Sequence, residues 1–268
     1  MIKLIALDLD GTLLGPDSRV HDIDRDAVIA ARQRGIHIVL NTSRWYGLAQ
    51  RTARRLELKT PIIGHCGAQI READNGRELF HVRIPADAAR EIAACCDEGS
   101  FETYTTVEGI TYMRVPWAAQ IDPERLPKDM RIASTHAEYV TAAATGIIVF
   151  SEEGVRAVVD AFGERYSDTI TFMEAVSEAT QPYVTIVAKG VDKGRALRMV
   201  CEELGVPLDE SMAVGDTVHD VDMFDVAAVG VAMGNAPDSV KAKADAIAPS
   251  NADCGVAWAI KRYVFELG

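Results

Sequence analysis

The 268-residue chain is short of positive charge: 28 lysines and arginines stand against 40 aspartates and glutamates, a net charge of −12. No segment gathers the basic residues into a dense face, which argues against a nucleic acid or an anionic membrane as partner. No apolar run approaches the length of a bilayer-spanning helix. Met1-Ile2-Lys3 leads straight into an apolar stretch broken by Asp8, so a signal peptide is not expected. The five cysteines are odd in number, scattered apart from Cys95-Cys96, and nowhere spaced Cys-x-x-Cys. That usage fits a reduced cytoplasm. Internal repeats and low-complexity tracts are also missing, which removes a solenoid or a disordered arm from consideration.

What is present is apolar enough, at 48% hydrophobic, to bury a sizeable core and a second one beside it, so two domains are expected. The run Leu4 to Leu7 predicts a strand buried on both faces, and it ends in two carboxylates, Asp8 and Asp10. Gly11 then lets the backbone turn sharply, which puts both acids where a strand leaves the sheet. Acids that close repel unless a proton or a cation holds them, and a hard divalent ion such as Mg²⁺ would also attract phosphate oxygens. The plainer alternative is an Asx-type turn whose aspartates bond local backbone.

Further along, Asp24 to Arg34 reads as a helix stopped by Gly35, and Ile36 to Leu40 as a second buried strand. That strand ends in Asn41-Thr42-Ser43-Arg44 ahead of a helix from Trp45 to Leu56, so Thr42 or Ser43 either caps the helix or offers its hydroxyl to an anion. Pro61 to Gly64 forms another strand, leading to His65-Cys66-Gly67-Ala68, and Asn75-Gly76 signals a hairpin. From about residue 83 to 188, helices at 85–97 and 153–165 alternate with short strands, the pattern of a small α+β domain. Core-like patterning returns at Tyr183 to Val187. Asp192 is placed to cap the next helix, so Lys193 falls in its first turn, where a cation is electrostatically out of place and implies an anion nearby. Lys189 is expected to be solvated. A strand at Ser211 to Val214 ends in Gly215-Asp216-Thr217-Val218-His219-Asp220; four acids meeting there would be untenable without a cation. Val229 to Met233 is the last core strand, followed by Gly234-Asn235-Ala236 and two helices, 237–243 and 254–265.

Asp8-Leu9-Asp10-Gly11-Thr12-Leu13 resembles the first motif of the haloacid dehalogenase-like superfamily of phosphohydrolases. The Thr42, Lys193 and Asp216–Asp220 segments are similar, in order, to its other three. The whole resembles the Cof-type members of subfamily IIB, which carry a C2-type cap. This implies an α/β fold, a Rossmann-like doubly wound parallel sheet with a smaller inserted α+β cap: core at 1–82, cap at 83–188, core again at 189–268. The cap would close over the site, expel water and select the leaving group. The resemblance further implies Mg²⁺ held by Asp8, Asp10 (through its carbonyl) and Asp216, with Asp8 as nucleophile, Asp10 as general acid and base, and Lys193 paired with both nucleophile and phosphate. Leu9, Thr42, Ser43, Lys193 and His219 would bind the phosphoryl group. Asp220 would support the metal ligands or position Lys193, and Asn235 would orient the metal site or simply stabilise its loop.

Three positions depart from the subgroup's habit. Ser43 stands for Gly, Cys66 for the Asn of Asn-Gly-Ala, and His219 for the Asn of Gly-Asp-x-x-Asn-Asp. A His219 ring facing the site would make substrate affinity acid-favoured; the alternatives are a helix-capping or water-facing imidazole. The implied activity is hydrolysis of a small phosphorylated metabolite through an aspartyl-phosphate, the substrate being a sugar phosphate, a nucleotide or a cofactor phosphate. A phosphomutase or phosphotransferase on the same scaffold, or a non-catalytic sensor of a phosphometabolite, are the competing readings. Oligomeric state is not written in the sequence.

Overall fold

The apolar runs become strands in a computed structural model that describes residues 1–176 and 181–266. In chain order the elements begin β1 (Leu4–Leu7), α1 (Asp22–Gln33), β2 (His37–Leu40), α2 (Tyr46–Arg55), β3 (Ile62–Gly64), β4 (Gln69–Arg71) and β5 (Glu78–His81). Next come α3 (Ala86–Glu98), β6 (Thr103–Val107), β7 (Ile110–Arg114), β8 (Met130–Ile132), β9 (Ala144–Phe150), α4 (Glu152–Phe162), β10 (Ile170–Val176) and β11 (Pro182–Ala188). The chain finishes with α5 (Lys193–Leu204), β12 (Ser211–Gly215), α6 (Val221–Phe224), β13 (Val229–Ala232), α7 (Asp238–Lys241), β14 (Ala246–Ile247) and α8 (Gly255–Ile260). Two compact units result: Met1–Phe80 with Asp192–Gly268, and His81–Val191. No described helix is long and apolar enough to cross a membrane.

The first unit is built on a parallel sheet in the order β14-β13-β12-β1-β2. Alternate residues of its strands enter different cores, as a sheet covered on both faces requires. Ile5, Leu7, Ile38, Leu40, Met212 and Val214 pack with α1, α2 and α8. Leu4, Ala6, Val39 and Ala213 pack instead with Ala196, Leu197 and Val200 of α5 and with Met223 and Phe224 of α6. This is the doubly wound α/β arrangement expected from the sequence. Its order also fixes where chemistry can occur. The strand sequence reverses at β1, whose neighbours are β2 on one side and β12 on the other, and Leu7 is level with both Leu40 and Val214. The segments following Leu7, Leu40 and Val214 therefore emerge side by side from the carboxyl end of the sheet.

The second unit is an α+β layer pair: a six-stranded sheet in the order β10-β11-β9-β6-β7-β8, antiparallel except where β8 joins β7. Helices α3 and α4 supply Ile92, Ala93, Val155 and Val158 to a core shared with Ile147, Val149, Val184 and Ile186 of the sheet. The run 183–187, core-like in its patterning, lies here as β11. A continuous apolar run reports burial on both faces rather than which sheet a strand joins, and Val184 to Ala188 are all buried. Strands β8 and β14 are not legible in advance, being three and two residues long and only partly buried.

The junction of α5 with α6 gives a stability test. A Cβ added at Gly194 would lie 2.1 Å from the Asp222 carbonyl oxygen, a backbone atom that cannot swing aside. Gly194→Ala is expected to cost about 3 kcal/mol, the upper part of the range for overpacking, read from urea unfolding midpoints. An unchanged midpoint would mean the two helices are not tightly apposed.

Candidate active site

At the end of β1 the chain delivers Asp8, only 4% exposed, and turns through Gly11. Gly11 has φ +75°, and a Cβ there would sit 2.2 Å from Asp216 Oδ2, so the turn can approach Asp216 this closely only with glycine. Next to it, Thr12 Oγ1 donates to Asp216 Oδ1 at 2.9 Å. Asp216 follows β12, and the turn after it is closed by Asp220, whose Oδ2 accepts from the N–H groups of Asp216 (3.1 Å) and Thr217 (2.8 Å) and from the Thr217 hydroxyl (2.9 Å). Asp192 caps α5, its carboxylate accepting from the Arg195 N–H at 2.6 Å. Lys193, in the first turn, is buried. Its Nζ donates to Asp8 Oδ1 and to Asp220 Oδ1, each at 2.6 Å. Asn41 Nδ2 holds the Lys193 carbonyl at 2.9 Å.

Asp8, Asp216 and Asp220 each offer an oxygen within 4.8 Å of the others. Three carboxylates around one ammonium leave an excess of negative charge in a buried place. Burial accordingly pushes Asp8 up to about 7, with Lys193 pulling the other way and Asp220 adding to the rise. Burial, then Asp8 and Asp220, raise Asp216 well above the carboxylate range. Burial opposes charge on Lys193 too, but Asp220 and Asp8 outweigh it and hold the ammonium well above its ordinary range. Carboxylates kept from ionising by burial and by one another suit a hard divalent cation, which would relieve them all. Asp220 already accepts four hydrogen bonds, so Asp8 and Asp216 are the pair with capacity to ligate.

Four acids do not converge. The Asp10 side chain is 52% exposed and is clasped by Arg44, whose Nε donates to Oδ2 at 2.6 Å and whose Nη2 donates to Oδ1. Neither Thr42 nor Ser43 caps the following helix: α2 begins after Trp45, with no side-chain cap. Thr42 is fully buried, its N–H bonded to the Ile63 carbonyl at 3.0 Å and its Oγ1 accepting from the Arg44 N–H at 3.1 Å. Ser43 has a negative φ, so a side chain in place of glycine causes no strain there. Leu9 is fully buried. Cys66 has φ +53°, donates its N–H to the Thr42 carbonyl at 3.0 Å, and carries a thiol that burial pushes up to about 12. Asn235 ties the loops together, Nδ2 donating to the Gly11 carbonyl at 2.8 Å and Oδ1 accepting from the Asn251 N–H at 3.0 Å.

His219 neither caps nor faces water. It is 7% exposed, and the capping box of its turn is made by Thr217 and Asp220. Burial, reinforced by Lys193, pushes its imidazole down to about 4, so the ring is neutral near pH 7 and the acid-favoured affinity expected from its residue type does not follow. Thr12, Asn41 and Arg44 are the contributors that sequence reasoning left without a role. All three lie inside or beside the motifs, and adjacency was the available signal.

Comparison with known proteins follows the same lines. The family pattern described as haloacid dehalogenase-like hydrolase matches residues 5–260. The stress response protein YhaX of Bacillus subtilis is 29% identical, the alignment covering 97% of this chain and 93% of that one. The 5-amino-6-(5-phospho-D-ribitylamino)uracil phosphatase YcsE of the same organism is 28% identical over 98% of this chain and 96% of its own. A solved haloacid dehalogenase-like hydrolase from B. subtilis superposes with a TM-score of 0.82 at 26% identity, covering 98% of this chain and all of that one.

The raised carboxylates set a pH dependence of stability. Asp8 and Asp216 hold protons more tightly folded than unfolded, so each loses folded-state stability as pH rises through its folded value. His136 and His219, both lowered to about 4, act in the opposite sense, but only between there and the ordinary histidine range. Above about pH 6.5 the carboxylates govern. In the presence of a chelator Tm is expected to fall between about pH 6.5 and 8.5, followed by differential scanning calorimetry. A rising Tm across that interval would contradict the charge excess.

Proposed function

The chain belongs to the haloacid dehalogenase-like hydrolases, and from that premise we propose that it is a Mg²⁺-dependent phosphatase acting on a small phosphorylated metabolite through an aspartyl-phosphate on Asp8. The observation that carries this reading is the bridge of Lys193 Nζ to Asp8 and Asp220, 2.6 Å each, beside Asp216. The likeness to YcsE, a named phosphatase of a phosphorylated small molecule, supports the substrate class.

Asp8, Asp216 and the Asp10 carbonyl would hold Mg²⁺, which when bound supplies the positive charge that keeps Asp8 ionised and lets an anionic phosphoryl group approach it. Lys193 fixes one oxygen of Asp8 and leaves the other to attack phosphorus in line. As the new P–O bond to Asp8 forms, the ester P–O bond breaks, and Asp10, having taken up a proton from solvent, gives it to the departing alkoxide. Asp10 then takes a proton from water, whose oxygen attacks phosphorus, releases phosphate and restores the Asp8 carboxylate. Thr42, the Lys193 ammonium and the backbone of Leu9 and Ser43 steady the equatorial oxygens as charge redistributes. Asp220 keeps Lys193 aimed, and Asn235 keeps the Gly11 turn against Asp216. His219 contributes as a neutral ring.

Asp8→Asn, close in shape but without a nucleophilic carboxylate, is expected to abolish phosphate release while leaving Tm near that of the parent. A panel of phosphorylated metabolites assayed with and without Mg²⁺ reads this out and also names the substrate; near-normal hydrolysis by the variant would refute the aspartyl-phosphate. For His219→Asn, the profile of kcat/KM against pH is expected to superpose on the parent's above about pH 6, because the ring is already neutral there. A parent profile with an added inflection near neutrality, absent from the variant, would show that the ring titrates during catalysis.

A further inference from the structure

The chemistry above assigns Asp10 to the leaving group but does not account for the clasp that holds it. Each oxygen of the Asp10 carboxylate faces its own guanidinium donor of Arg44, a two-pronged pairing that fixes the carboxylate in position as well as in charge. An acid or base at work needs an oxygen turned toward its partner. Arg44 is itself anchored through its backbone: its N–H donates to Thr42 Oγ1 at 3.1 Å and its carbonyl accepts from the His65 N–H at 3.0 Å. One turn thus carries both the hydroxyl proposed to bind phosphate and the side chain that restrains Asp10. The pair is accessible, with side chains 19% and 52% exposed for Arg44 and Asp10. Lys193 is 2% exposed, and its ammonium already serves two carboxylates. An arriving anion can recruit Arg44 at far less cost than Lys193.

We propose that Arg44 is a positioning residue exchanged by the substrate: in the free protein it holds Asp10 idle, and an incoming phosphate dianion takes over the guanidinium and releases Asp10 toward the leaving group. The proposal rests on the phosphatase reading. The exchange conserves hydrogen bonds, since the two charge-assisted bonds lost at Asp10 are replaced by two at phosphoryl oxygens, and the guanidinium fork suits both partners. A dianion competes better than the monoanion it displaces. Because the two anions compete for one cation, the coupling is reciprocal: the Asp10 carboxylate must weaken phosphate binding through Arg44.

A double-mutant cycle reads that coupling directly. The probe is inorganic phosphate, its Kd measured by isothermal titration calorimetry in Mg²⁺ for the parent, Asp10→Asn, Arg44→Gln and the double variant. Asp10→Asn keeps the backbone carbonyl and the side-chain shape but removes the competing charge; it is expected to tighten phosphate about tenfold, the worth of one charge-assisted contact. Arg44→Gln is expected to weaken phosphate binding by a similar factor, and adding Asp10→Asn to it to change Kd by less than about twofold. Arg44→Lys, which keeps the charge without the fork, should fall between parent and Arg44→Gln, and guards against a folding defect in the latter. A structural role alone would weaken binding in both Asp10 backgrounds alike. Equal tightening by Asp10→Asn with and without Arg44 would mean simple charge repulsion and overturn the exchange, as would an unchanged Kd in Arg44→Gln. Coupled affinities in a parent that hydrolyses no ester would overturn the phosphatase reading alone. Uncoupled affinities in an active parent would overturn the exchange alone, and no phosphate binding by the parent would overturn both.

Discussion

The ammonium of Lys193, sealed between Asp8 and Asp220, is the contact on which the rest of the first unit depends. An isolated ammonium does not survive in such a place, and losing both carboxylates would leave a buried charge uncompensated, at a cost of about 3–5 kcal/mol. The pairing also links distant parts of the chain, because Asp8 ends the first strand, Lys193 opens a helix after the second unit, and Asp220 closes the turn beyond β12. Folding the two halves of the first unit together and assembling the site are therefore one event. Yet the pairing is incomplete, since Asp216 stands next to it with no ammonium of its own. The cluster is stable with a proton or a cation, and in the proposed mechanism only the cation would leave Asp8 able to attack.

Sheet order is what brings these groups within reach. With β1 at the reversal point, the residues after Leu7, Leu40 and Val214 must lie next to one another, whatever the rest of the chain does. Helix α5 then needs only to start at the right height, which its Asp192 cap and the hold of Asn41 on the Lys193 carbonyl ensure. Each side chain of the cluster is thereby aimed by a rigid element and a second hydrogen bond, the arrangement that keeps a site from loosening.

Much of this was legible because it is written in local chemistry. A buried strand that ends in acids, a cap residue followed by a misplaced cation, and turns marked by glycine are each readable within ten residues and point to the cluster's neighbourhood, while the fold class came from the resemblance those motifs carry. What was not legible depends on direction and burial. The Arg44–Asp10 clasp spans 34 positions and is decided by where two side chains point. The donors on Asp216 and Lys193 from Thr12 and Asn41 are likewise long-range. The titration of His219 could not be read from its type, because the same imidazole is a switch in water and a neutral ring when enclosed. The run that became β11 had a legible burial, but a continuous apolar run does not say which sheet it joins.

The three departures from the family's habit share one electrostatic property. Ser43 carries no charge at any ordinary pH, the Cys66 thiol is held far above neutrality by burial, and the His219 ring is held far below it. None alters the balance among Asp8, Asp216, Asp220 and Lys193 near pH 7. Their backbones tolerate the changes as well, Ser43 with a negative φ and Cys66 in a left-handed conformation that costs an ordinary residue about 1 kcal/mol and that asparagine adopts more readily. What the departures do change is the set of hydrogen-bond donors and acceptors: a hydroxyl is added at 43, an amide is lost at 66, and at 219 an amide gives way to a ring with one donor and one acceptor. On the proposed function such changes would leave phosphoryl chemistry, which is governed by charge, in place, and would bear on whatever polar groups a ligand presents beside its phosphate. On that proposal the family's machinery and this chain's individuality are separable, the first residing in ionised groups and the second in neutral ones.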